Sequence, residues 1–488
     1  MFLGIDLGST NIKAILFDEE MHVLAQQSQQ VVYMRENGFV EFDAEAYYRS
    51  LQALIAGLIA QTPGSAVTQI ALTGQAESLV CVDADGNACI NAISWMDERS
   101  QKQCEILATQ FDAKTCARIT GQLAVLPTWP ASKILWLREN RPEVFARTAK
   151  FMLLKDYIVY KLTGRMLADM SIATFTFYFD IYHKCYWKPM LDVIGIDESR
   201  LPTLAEPCSV AGPLTAQAAE AMGMPQQTLV NIGTLDHFAG MIGTGNTTPG
   251  GVTLSTGTVM ALAVMACEPA AKDCGIALHY GFLPDTHVML PVAESGGVSL
   301  EWFRRTCMGD TSYEEMNRVL LARAGQTRQQ PIFLPYLVGT NAPEFDTAAT
   351  GMFWGLRQEH DRFDLAHAVM EGVAFMLRRN CDAIRAAGTE LQQIVATGGG
   401  AKSPVWCQLQ ADITGLPVVV PQQTEAACFG AAMAAAVSVG RYVDYVSAAK
   451  ACVAVHERYL PHPTSLLEHR YRQFALLYRA DIEAASVK

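Results

Sequence analysis

The alternation of apolar and polar residues predicts that the chain begins with a β-hairpin. An apolar run at 2–6 leads into a small polar turn, and a second apolar run follows at 12–17. Apolar residues then recur at helical spacing over 44–60, which predicts an amphipathic helix. The runs that follow predict two strands and then two helices, at 67–72, 79–82, 132–139 and 151–162.

The same strand, turn and strand return about half a chain later. A strand over 229–232 opens toward Asp236, and apolar runs on both sides of the turn at 256–258 repeat the hairpin. A repeat at this scale indicates two similar α/β domains. We predict their bounds as 1–245 and 246–488. The remaining pattern predicts a strand, a helix, a strand and a helix, at 393–396, 404–414, 417–420 and 426–439.

Composition and charge exclude several classes of protein. The chain has 488 residues, of which 50% are hydrophobic and 18% are charged, a balance typical of globular domains. A formal net charge of −12 argues against a nucleic-acid partner. The 13 cysteines contain no C-x-x-C pair, so neither a disulfide framework nor a zinc site is expected. No apolar run approaches the roughly 18 residues of a membrane span, and the first residues do not resemble a signal peptide, so we expect a cytoplasmic protein without a membrane partner.

The first hairpin turn carries residues suited to phosphate chemistry. Asp6 ends the first apolar run, and Gly8, Ser9 and Thr10 follow it, with Lys13 nearby. Such a turn can present several backbone N–H groups to a phosphate, while the aspartate reaches Mg²⁺ through water. An ordinary hairpin turn would have the same composition, so this pattern alone leaves both interpretations open.

Two glycine-containing turns in the second half could face a nucleotide. The turn at 256–258 is the counterpart of the first hairpin turn, and three glycines at 398–400 follow a predicted strand. Consecutive glycines allow an adenine ring or a phosphate to approach the backbone closely. The run is not a P-loop, because Ala401 stands where that motif needs glycine, and Ser403 likewise excludes a dinucleotide fingerprint.

Two longer patterns resemble those of a known family. The first includes Pro130, Lys133, Ile134, Trp136, Leu137, Glu139 and Asn140. The second includes Gly351, Phe353, Gly355, Leu356, Asp364, Leu365, Ala368, Val369, Met370 and Glu371. With the turns near Asp6 and Thr256, they make the chain similar to the FGGY carbohydrate kinases, a family that includes xylulokinases, gluconokinases and glycerol kinases. The resemblance covers residue 2 to about residue 439.

The resemblance implies a fold, a reaction and its cofactors. The fold is α/β, a two-domain ribonuclease H-like (actin-like ATPase) fold with a central cleft. The reaction is ATP-dependent phosphorylation of a small-molecule sugar, with Mg²⁺ as the metal. Sugar would bind mainly to the first domain and ATP to the second, and a homodimer is a possible assembly.

The resemblance also assigns roles to residues. Asp236 matches the catalytic base, although an aspartate in this position could also be a helix N-cap. Asp6 and Asp236 would bind the metal, and Glu301, in the segment along the nucleotide, stays undecided. The implied substrate contacts are Gln75, Glu77, Trp95, Asp97, Arg99, Asp236 and His237. The implied nucleotide contacts are Ser9, Thr10, Lys13, Gly257, Thr258, Gly297, Gly399, Gly400 and Ser403.

Departures from the family patterns concern the substrate. Ala76 stands where the glycerol-type pattern has arginine, the xylulose-type Met-His pair is also absent, and Thr128 replaces an aromatic residue. These smaller residues predict a ketose or a related polyol or acid of five or six carbons rather than glycerol. Two alternatives remain at this stage, an actin-like ATPase that phosphorylates no metabolite and an inactive sugar sensor. A nicotinamide dehydrogenase is disfavoured, because no Rossmann fingerprint is present.

Overall fold

The computed structural model of this chain describes residues 1–64, 66–266, 275–323, 330–340 and 342–486. None of the helices in these ranges is long and apolar enough to cross a membrane. Strands and helices are interspersed along these ranges, in agreement with the predicted α/β class.

The first half of the chain contains a six-stranded mixed sheet and several smaller sheets, with helices between the strands. Its strands are β1 (Phe2–Leu7), β2 (Asn11–Phe17), β3 (Val23–Gln30), β4 (Met34–Glu36), β5 (Phe39–Phe42), β6 (Gln69–Gly74), β7 (Leu79–Val82), β8 (Ala92–Ile93), β9 (Lys150–Leu153), β10 (Leu167–Asp169), β11 (Phe179–Asp180), β12 (Cys185–Tyr186), β13 (Thr203–Ala205), β14 (Val210–Pro213) and β15 (Leu229–Leu235). Its helices are α1 (Ala44–Gln61), α2 (Gln101–Gln110), α3 (Ala113–Thr120), α4 (Pro130–Asn140), α5 (Pro142–Arg147), α6 (Leu154–Thr163), α7 (Met170–Ala173), α8 (Lys188–Ile194), α9 (Ala216–Met222) and α10 (Asp236–Gly243).

The second half contains a second sheet and the longest helix. Its strands are β16 (Gly251–Thr256), β17 (Met260–Ala266), β18 (Leu278–Tyr280), β19 (His287–Met289), β20 (Val292–Ala293), β21 (Ile332–Pro335), β22 (Gly351–Trp354), β23 (Gln393–Gly398), β24 (Val418–Pro421) and β25 (Val455–Tyr459). Its helices are α11 (Gly297–Cys307), α12 (Tyr313–Ala322), α13 (Arg362–Ala386), α14 (Pro404–Thr414), α15 (Ala426–Ser438), α16 (Tyr445–Cys452) and α17 (Ser465–Ser486).

The chain divides into two compact units, and their bounds are not a single cut in the sequence. The first unit comprises residues 1–247, 277–288 and 425–453, and the second unit comprises 248–276, 289–424 and 454–488. The first change of unit lies two residues after the predicted boundary at 245. The two later segments of the first unit come from the half of the chain that was predicted to be one continuous domain.

The core of the first unit is a sheet with the strand order β14-β15-β6-β1-β2-β3. β1 and β2 are antiparallel and form the predicted hairpin. β1, β6 and β15 run parallel to one another, with α1 in the crossover that precedes β6. The carboxyl ends of these three strands therefore lie side by side at one edge of the sheet.

The sheet of the second unit repeats this arrangement. β17, β16, β23, β24 and β25 are neighbours in this order. β16 pairs antiparallel with β17 and parallel with β23, which is parallel to β24, and β25 closes the row antiparallel. This is the order of β2, β1, β6, β15 and β14, so the predicted internal repeat is confirmed.

The predicted helix over 151–162 is wrong at its start. Lys150–Leu153 forms β9, which pairs antiparallel with β7, and α6 begins only at Leu154. An apolar run as short as Phe-Met-Leu-Leu fits a buried strand as well as a buried helix. The pairing with β7, which is remote in sequence, decides between the two.

Helix α15 packs against β1 and α10 with the backbones in close contact. A Cβ on Gly4 of β1 would lie 2.0 Å from the carbonyl oxygen of Cys428, and a Cβ on Gly430 would lie 1.8 Å from that of Ala239. Any side chain at these glycines would force the elements apart. The segment 425–453 is therefore an integral part of the core of the first unit.

Candidate active site

Three polar side chains lie at the carboxyl ends of neighbouring parallel strands, at one edge of the sheet of the first unit. Asp6 is level with Thr73, one residue before the end of β1, and Gln75 directly follows β6. Asp236 directly follows β15, whose last residue is level with Gly74. Ligands of open α/β sheets bind outside the carboxyl ends of the strands, so this edge is the candidate site.

Asp236 is held at the junction of β15 and α10. Gly233, three residues earlier, has a φ of 64°, and a Cβ there would lie 1.4 Å from the carbonyl oxygen of Leu72, so this bulge requires glycine. Asp236 is the first residue of α10, and Leu235 occupies the N-cap position. Oδ1 of Asp236 accepts a hydrogen bond from the backbone N–H of His237 at 2.6 Å. The side chain is only partly buried, so the carboxylate can reach a ligand.

Asp6 has an environment that disfavours its charged form. Burial, and then the charge of Asp236, raise the pKa of Asp6 to about 7, although Lys13 opposes the shift. Oδ1 of Asp6 is buried and has no hydrogen-bond partner among the described residues. A cation bound between the two carboxylates would remove both penalties, since it would pair the oxygen and offset the repulsion.

We expect Asp6→Asn to make the ligand-free protein more stable at pH 8. The pKa of Asp6 is raised from 3.8 to about 7 in the folded protein, so between these values the folded state binds the proton more tightly than the unfolded chain does. This favourable contribution is lost as the pH rises through the window, and above pH 7 the wild-type protein keeps a buried charge that asparagine lacks.

Chemical denaturation in EDTA measures this effect. The free energy of unfolding of Asp6→Asn should exceed that of the wild type by on the order of 1–2 kcal/mol at pH 8, and by much less at pH 5. Asp85→Asn, which changes an exposed aspartate of the same unit, should show no such pH dependence. An equal gain at both pH values would contradict the raised pKa.

The turn after β1 is compact and fixed to α1. A Cβ on Gly8 would lie 2.6 Å from the carbonyl oxygen of Asn11, so glycine is required here. The hydroxyl of Tyr47 donates to the carbonyl oxygen of Gly8 at 3.1 Å. Ser9 is partly buried and Thr10 is exposed, and their predicted nucleotide contacts stay predictions.

Lys13 has a partner within the first unit. Its Nζ lies 2.7 Å from Oε2 of Glu425, and both side chains are more than one-third exposed. Although burial opposes the shift, this ion pair raises the pKa of Lys13. Lys13 also lowers the pKa of Asp6. The ammonium group of Lys13 therefore interacts with two carboxylates beside the turn, those of Glu425 and Asp6.

The loop after β6 holds two predicted sugar contacts. The Ser78 hydroxyl donates to Oε1 of Gln75 at 2.8 Å, whereas Nε2 of Gln75 is buried without a partner in the described part of the chain. Glu77 has a φ of 65°. Burial raises the pKa of Glu77, and the charge of Lys133 and a hydrogen bond with Thr128 oppose that shift.

Lys133 joins the two loops that were predicted to bind the sugar. It is fully buried, and its Nζ donates to the carbonyl oxygens of Glu77 at 3.1 Å and of Ser94 at 2.8 Å. Burial lowers the pKa of Lys133 to about 8. Trp95, which follows Ser94, is 39% exposed, so its indole is open to a ligand. The lysine of the first family pattern thus acts on the geometry of both loops.

Asp97 and Arg99 are paired with each other. Oδ1 of Asp97 accepts from the backbone N–H and Nε of Arg99, at 3.0 and 2.7 Å, and Oδ2 accepts from Nη2 of Arg99 and the N–H of Val40, at 2.7 and 2.6 Å. Nη2 of Arg99 also donates to Glu41 at 2.7 Å, and the guanidinium lies 3.9 Å from the centre of the Phe39 ring. Since each carboxylate oxygen of Asp97 already accepts two hydrogen bonds, the predicted sugar contact lacks a free acceptor. We therefore reinterpret Asp97 as fixing this loop, whereas the predicted sugar contact of Arg99 stays a prediction.

Two side chains at this site were not identified from the sequence. The hydroxyl of Tyr33 is buried without a partner among the described residues, close to Gln75, and burial raises its pKa. His279 lies near His237, and burial, with a smaller effect of His237, lowers the pKa of His279 to about 3. Both come from segments that are remote from the family patterns, so only their positions in the fold reveal them.

The second unit contains a cavity of about 690 Å³. This volume lies in the range of roughly 300–1,000 Å³ that is usual for small-molecule sites. Its lining consists of the turn at 256–258, the glycines at 399–400 and residues of four helices. These helix residues and their neighbours are Gly297, Val298, Leu300, Glu301, Tyr313, Glu314, Met316, Asn317, Met370, Lys402, Ser403 and Trp406.

The glycines around this cavity differ in how much space a side chain would have. A Cβ on Gly257 would contact nothing within 4 Å, and a Cβ on Gly399 would meet only the carbonyl oxygen of Thr256 at 3.7 Å. A Cβ on Gly400 would lie 2.7 Å from Cβ of Thr256, and one on Gly297 would lie 2.3 Å from the carbonyl oxygen of Gly257. Gly297 and Gly400 are therefore needed for the packing of the turns, whereas Gly257 and Gly399 leave space in the cavity.

Glu301, which was left undecided, and Ser403, a predicted nucleotide contact, both have hydrogen-bond partners within the second unit. Glu301 is 3.0 Å from Arg304 and accepts from the Tyr313 hydroxyl at 2.6 Å. The oxygen of Ser403 caps α14, accepts from Trp406 N–H at 3.2 Å and donates to Asn317 Oδ1 at 2.6 Å. Both residues still border the cavity, so their predicted proximity to a nucleotide remains a prediction.

Known proteins are similar to this chain along nearly its whole length. The model of the FGGY family of carbohydrate kinases, N-terminal domain, matches residues 1–243, and that of the C-terminal domain matches residues 252–439. The chain is 30% identical over 487 residues to the xylulose kinase of Lactococcus lactis, and the match covers 98% of this chain and 95% of that protein. The chain belongs to the FGGY family of carbohydrate kinases.

Other FGGY kinases are similar along their whole lengths. The gluconokinase of Bacillus licheniformis is 25% identical, with 96% of this chain and 93% of that protein covered. The crystal structure of the xylulose kinase from Rhodospirillum rubrum has a TM-score of 0.92 and 25% identity, and covers 99% of both chains. The predicted two-domain, actin-like ATPase fold is confirmed.

As an FGGY kinase, the protein phosphorylates a sugar with ATP and Mg²⁺. The residues present fit both cofactors. The unpartnered oxygen of Asp6 suits a cation, and the open glycines Gly257 and Gly399 suit a bound nucleotide. The kinase names of the relatives give no support to an inactive sugar sensor.

Gly399→Val should raise the KM of this FGGY kinase for ATP by roughly 10- to 100-fold, a loss of about 1.4–2.8 kcal/mol of binding. The space around Gly399 accepts a side chain without a clash, so the protein should fold, but the isopropyl group would occupy part of the cavity. The measurement is initial-rate kinetics with ATP varied at saturating sugar, and thermal unfolding verifies the fold.

The KM for sugar and the behaviour of a matched variant test this prediction. Ala386→Val adds a branched side chain at an exposed position at the end of α13 and should change neither KM. An equal loss of affinity for both substrates in Gly399→Val, with the fold intact, would argue against a nucleotide at this glycine.

Proposed function

We propose that the substrate is a ketose of five or six carbons, with xylulose as the first candidate, or a related polyol or aldonate of the same length, such as gluconate. The relatives of Lactococcus lactis and Bacillus licheniformis are named as xylulose kinase and gluconokinase. The observation that carries the proposal is the meeting of Asp6, Gln75 and Asp236 at the carboxyl ends of three adjacent parallel strands. This edge combines carboxylates for phosphoryl transfer with unpaired donors for hydroxyl groups.

Asp236 is the general base in this proposal. Its carboxylate accepts the proton of the substrate hydroxyl as that oxygen attacks, which requires a position within hydrogen-bond reach of the sugar. Gln75, Glu77, Trp95 and His237 contact the sugar. Bound Mg²⁺-ATP supplies the phosphoryl group and neutralises the charge that develops on it.

In this proposal the first unit binds the sugar and the second unit binds most of the nucleotide. Asp6 and Asp236 hold the metal, and Ser9, Thr10 and Lys13 contact phosphates. The turn at 256–258, with Gly297, Gly399, Gly400 and Ser403, holds the nucleotide. We further propose that the protein is cytoplasmic and that it assembles as a homodimer. Light scattering of the purified protein would detect the dimer by its mass.

A coupled ADP-release screen tests the substrate proposal. Purified protein is assayed with Mg²⁺-ATP against D-xylulose, L-ribulose, D-fructose, D-gluconate, xylitol, erythritol and glycerol. The highest kcat/KM should belong to a ketose, with D-xylulose first. A linear tetritol as the best substrate would overturn the five- or six-carbon proposal, and ADP release that no member of the set stimulates would overturn the proposed substrate class.

A further inference from the structure

A buried polar network lies behind Asp236, and the proposed chemistry does not use it. Lys155 of α6 and Asp169 of β10 are fully buried, and Nζ of the lysine lies 2.9 Å from Oδ2 of the aspartate. Asp169 also accepts from Ser171, whose backbone N–H is 2.9 Å from Oδ1 and whose hydroxyl is 2.8 Å from Oδ2. Lys155 donates a further hydrogen bond to the carbonyl oxygen of Ile232 in β15.

Ser171 carries this network to the end of β15. Its Oγ lies 2.8 Å from Oγ1 of Thr234 and accepts from the backbone N–H of Leu235 at 3.2 Å. A serine hydroxyl has one proton to donate, and the carboxylate of Asp169 can only accept, so Thr234 is the donor to Ser171. Every hydrogen-bonding site of the Ser171 hydroxyl is thereby used, one for donation and two for acceptance.

The bulge in β15 explains why this support matters. The register of β15 against β6 shifts between Asn231 and Thr234, where Gly233 has a positive φ, so the regular ladder is interrupted before the strand ends. The N–H of Leu235, the residue directly before Asp236, is satisfied by Ser171. A buried ion pair contributes little net stability, because desolvation offsets the attraction, whereas a fully satisfied buried network selects one conformation.

We propose that Lys155, Asp169 and Ser171 position the catalytic base. They fix the last residues of β15 and, through the N-cap at Leu235, the direction in which the Asp236 carboxylate leaves the strand. The inference rests on the proposed role of Asp236 as the base. Since a misplacement of about 1 Å can cost 100-fold in rate, loss of this support should appear in kcat.

Ser171→Ala removes the acceptor of the Leu235 N–H and is the first test. The assay is steady-state kinetics with Mg²⁺-ATP and the best sugar of the screen, D-xylulose in the first instance. We expect kcat to fall about 10- to 100-fold, while the KM for ATP stays within twofold of the wild type. Thr234→Val keeps the shape of the side chain but removes its donor to Ser171, and should lower kcat by a smaller factor.

Thr228→Val is the matched control. Thr228 is also buried and precedes the same strand at its opposite end, where its hydroxyl donates to the carbonyl oxygen of Val67 at 3.0 Å. The loss of the Thr228 hydroxyl should lower the melting temperature about as much as Thr234→Val does, and kcat should be unchanged. This comparison separates a positioning effect from a general loss of stability.

The outcomes distinguish the positioning role from the base assignment. If Asp236→Asn abolishes turnover and folded Ser171→Ala and Thr234→Val keep wild-type kcat, the positioning inference is wrong and the base assignment stands. If Asp236→Asn keeps turnover, the base assignment and the inference built on it both fail. If Ser171→Ala does not fold, Thr234→Val decides, because a kcat no lower than that of Thr228→Val would overturn the inference.

Discussion

Asp236→Asn should lower kcat about a thousandfold while the protein still folds and binds ATP. The amide has the same size as the carboxylate, and its oxygen can still accept the 2.6 Å hydrogen bond from the N–H of His237. It cannot take a proton from the sugar hydroxyl at neutral pH. Removal of one of two like charges should also relieve Asp6, whose pKa Asp236 raises. Lost activity in this variant would thus not be a consequence of unfolding.

The measurement combines turnover with one control of ATP binding and one control of the fold. The kcat comes from the coupled ADP assay, calorimetry gives the affinity for ATP, and thermal unfolding verifies the fold. Asp85→Asn, which makes the same chemical change in an exposed turn of the first unit, should retain full turnover. A kcat of Asp236→Asn within about tenfold of the wild type would remove this residue from the base role.

The best ketose should have a kcat/KM at least about 100 times that of glycerol. Nε2 of Gln75 and the hydroxyl of Tyr33 are buried donors without partners among the described residues. We expect a three-carbon ligand to leave unpaired some of the groups that a longer sugar would pair. Each hydrogen bond left unmade should cost roughly 0.5–1.5 kcal/mol, and more where the carboxylate of Glu77 is involved. Several such losses together give the expected factor.

Ala76→Arg tests the same pocket by making it smaller, which should shift the preference toward glycerol. Ala76 stands where the glycerol-type pattern has arginine, and a long side chain there would occupy space that a five- or six-carbon sugar needs. The ratio of kcat/KM for ketose over that for glycerol should fall by at least about tenfold. Ala84→Arg, in an exposed turn of the same unit, should leave the ratio unchanged. Glycerol as the preferred substrate of the wild type would show that this interpretation of the pocket is wrong.

The predicted fold rested on local patterns that tertiary structure did not override. The hairpin at β1 and β2 and the helix α1 follow from periodicity, and the repeat follows from the second occurrence of the same pattern. Local periodicity did not predict the strand β9. Its partner β7 is about 70 residues away in sequence, and no local pattern indicates that the two strands pair.

The site residues that could be predicted from the sequence are those at the end of a predicted strand or in the turn that follows it. Asp6, Gln75 and Asp236 each lie at the end of a strand that the pattern reveals, so their meeting at one edge could be anticipated. The pairing of Asp97 with Arg99 could not, because residue types do not record which partners a side chain finds. The support of Leu235 by Ser171 was equally invisible, since a buried serine has no distinguishing spacing.

The completion of the first unit by residues 425–453 has a consequence for synthesis on the ribosome. When residue 247 leaves the exit tunnel, the faces of β1 and α10 that α15 covers are still without their partner. Nearly 180 further residues must be translated before α15 is made. At roughly 5–20 residues per second this takes on the order of 10–35 seconds, during which apolar surface and closely spaced glycine backbones stay open to chaperones or to aggregation. A nascent chain stalled after residue 247 should therefore be protease-sensitive, and one stalled after the whole chain has emerged should not.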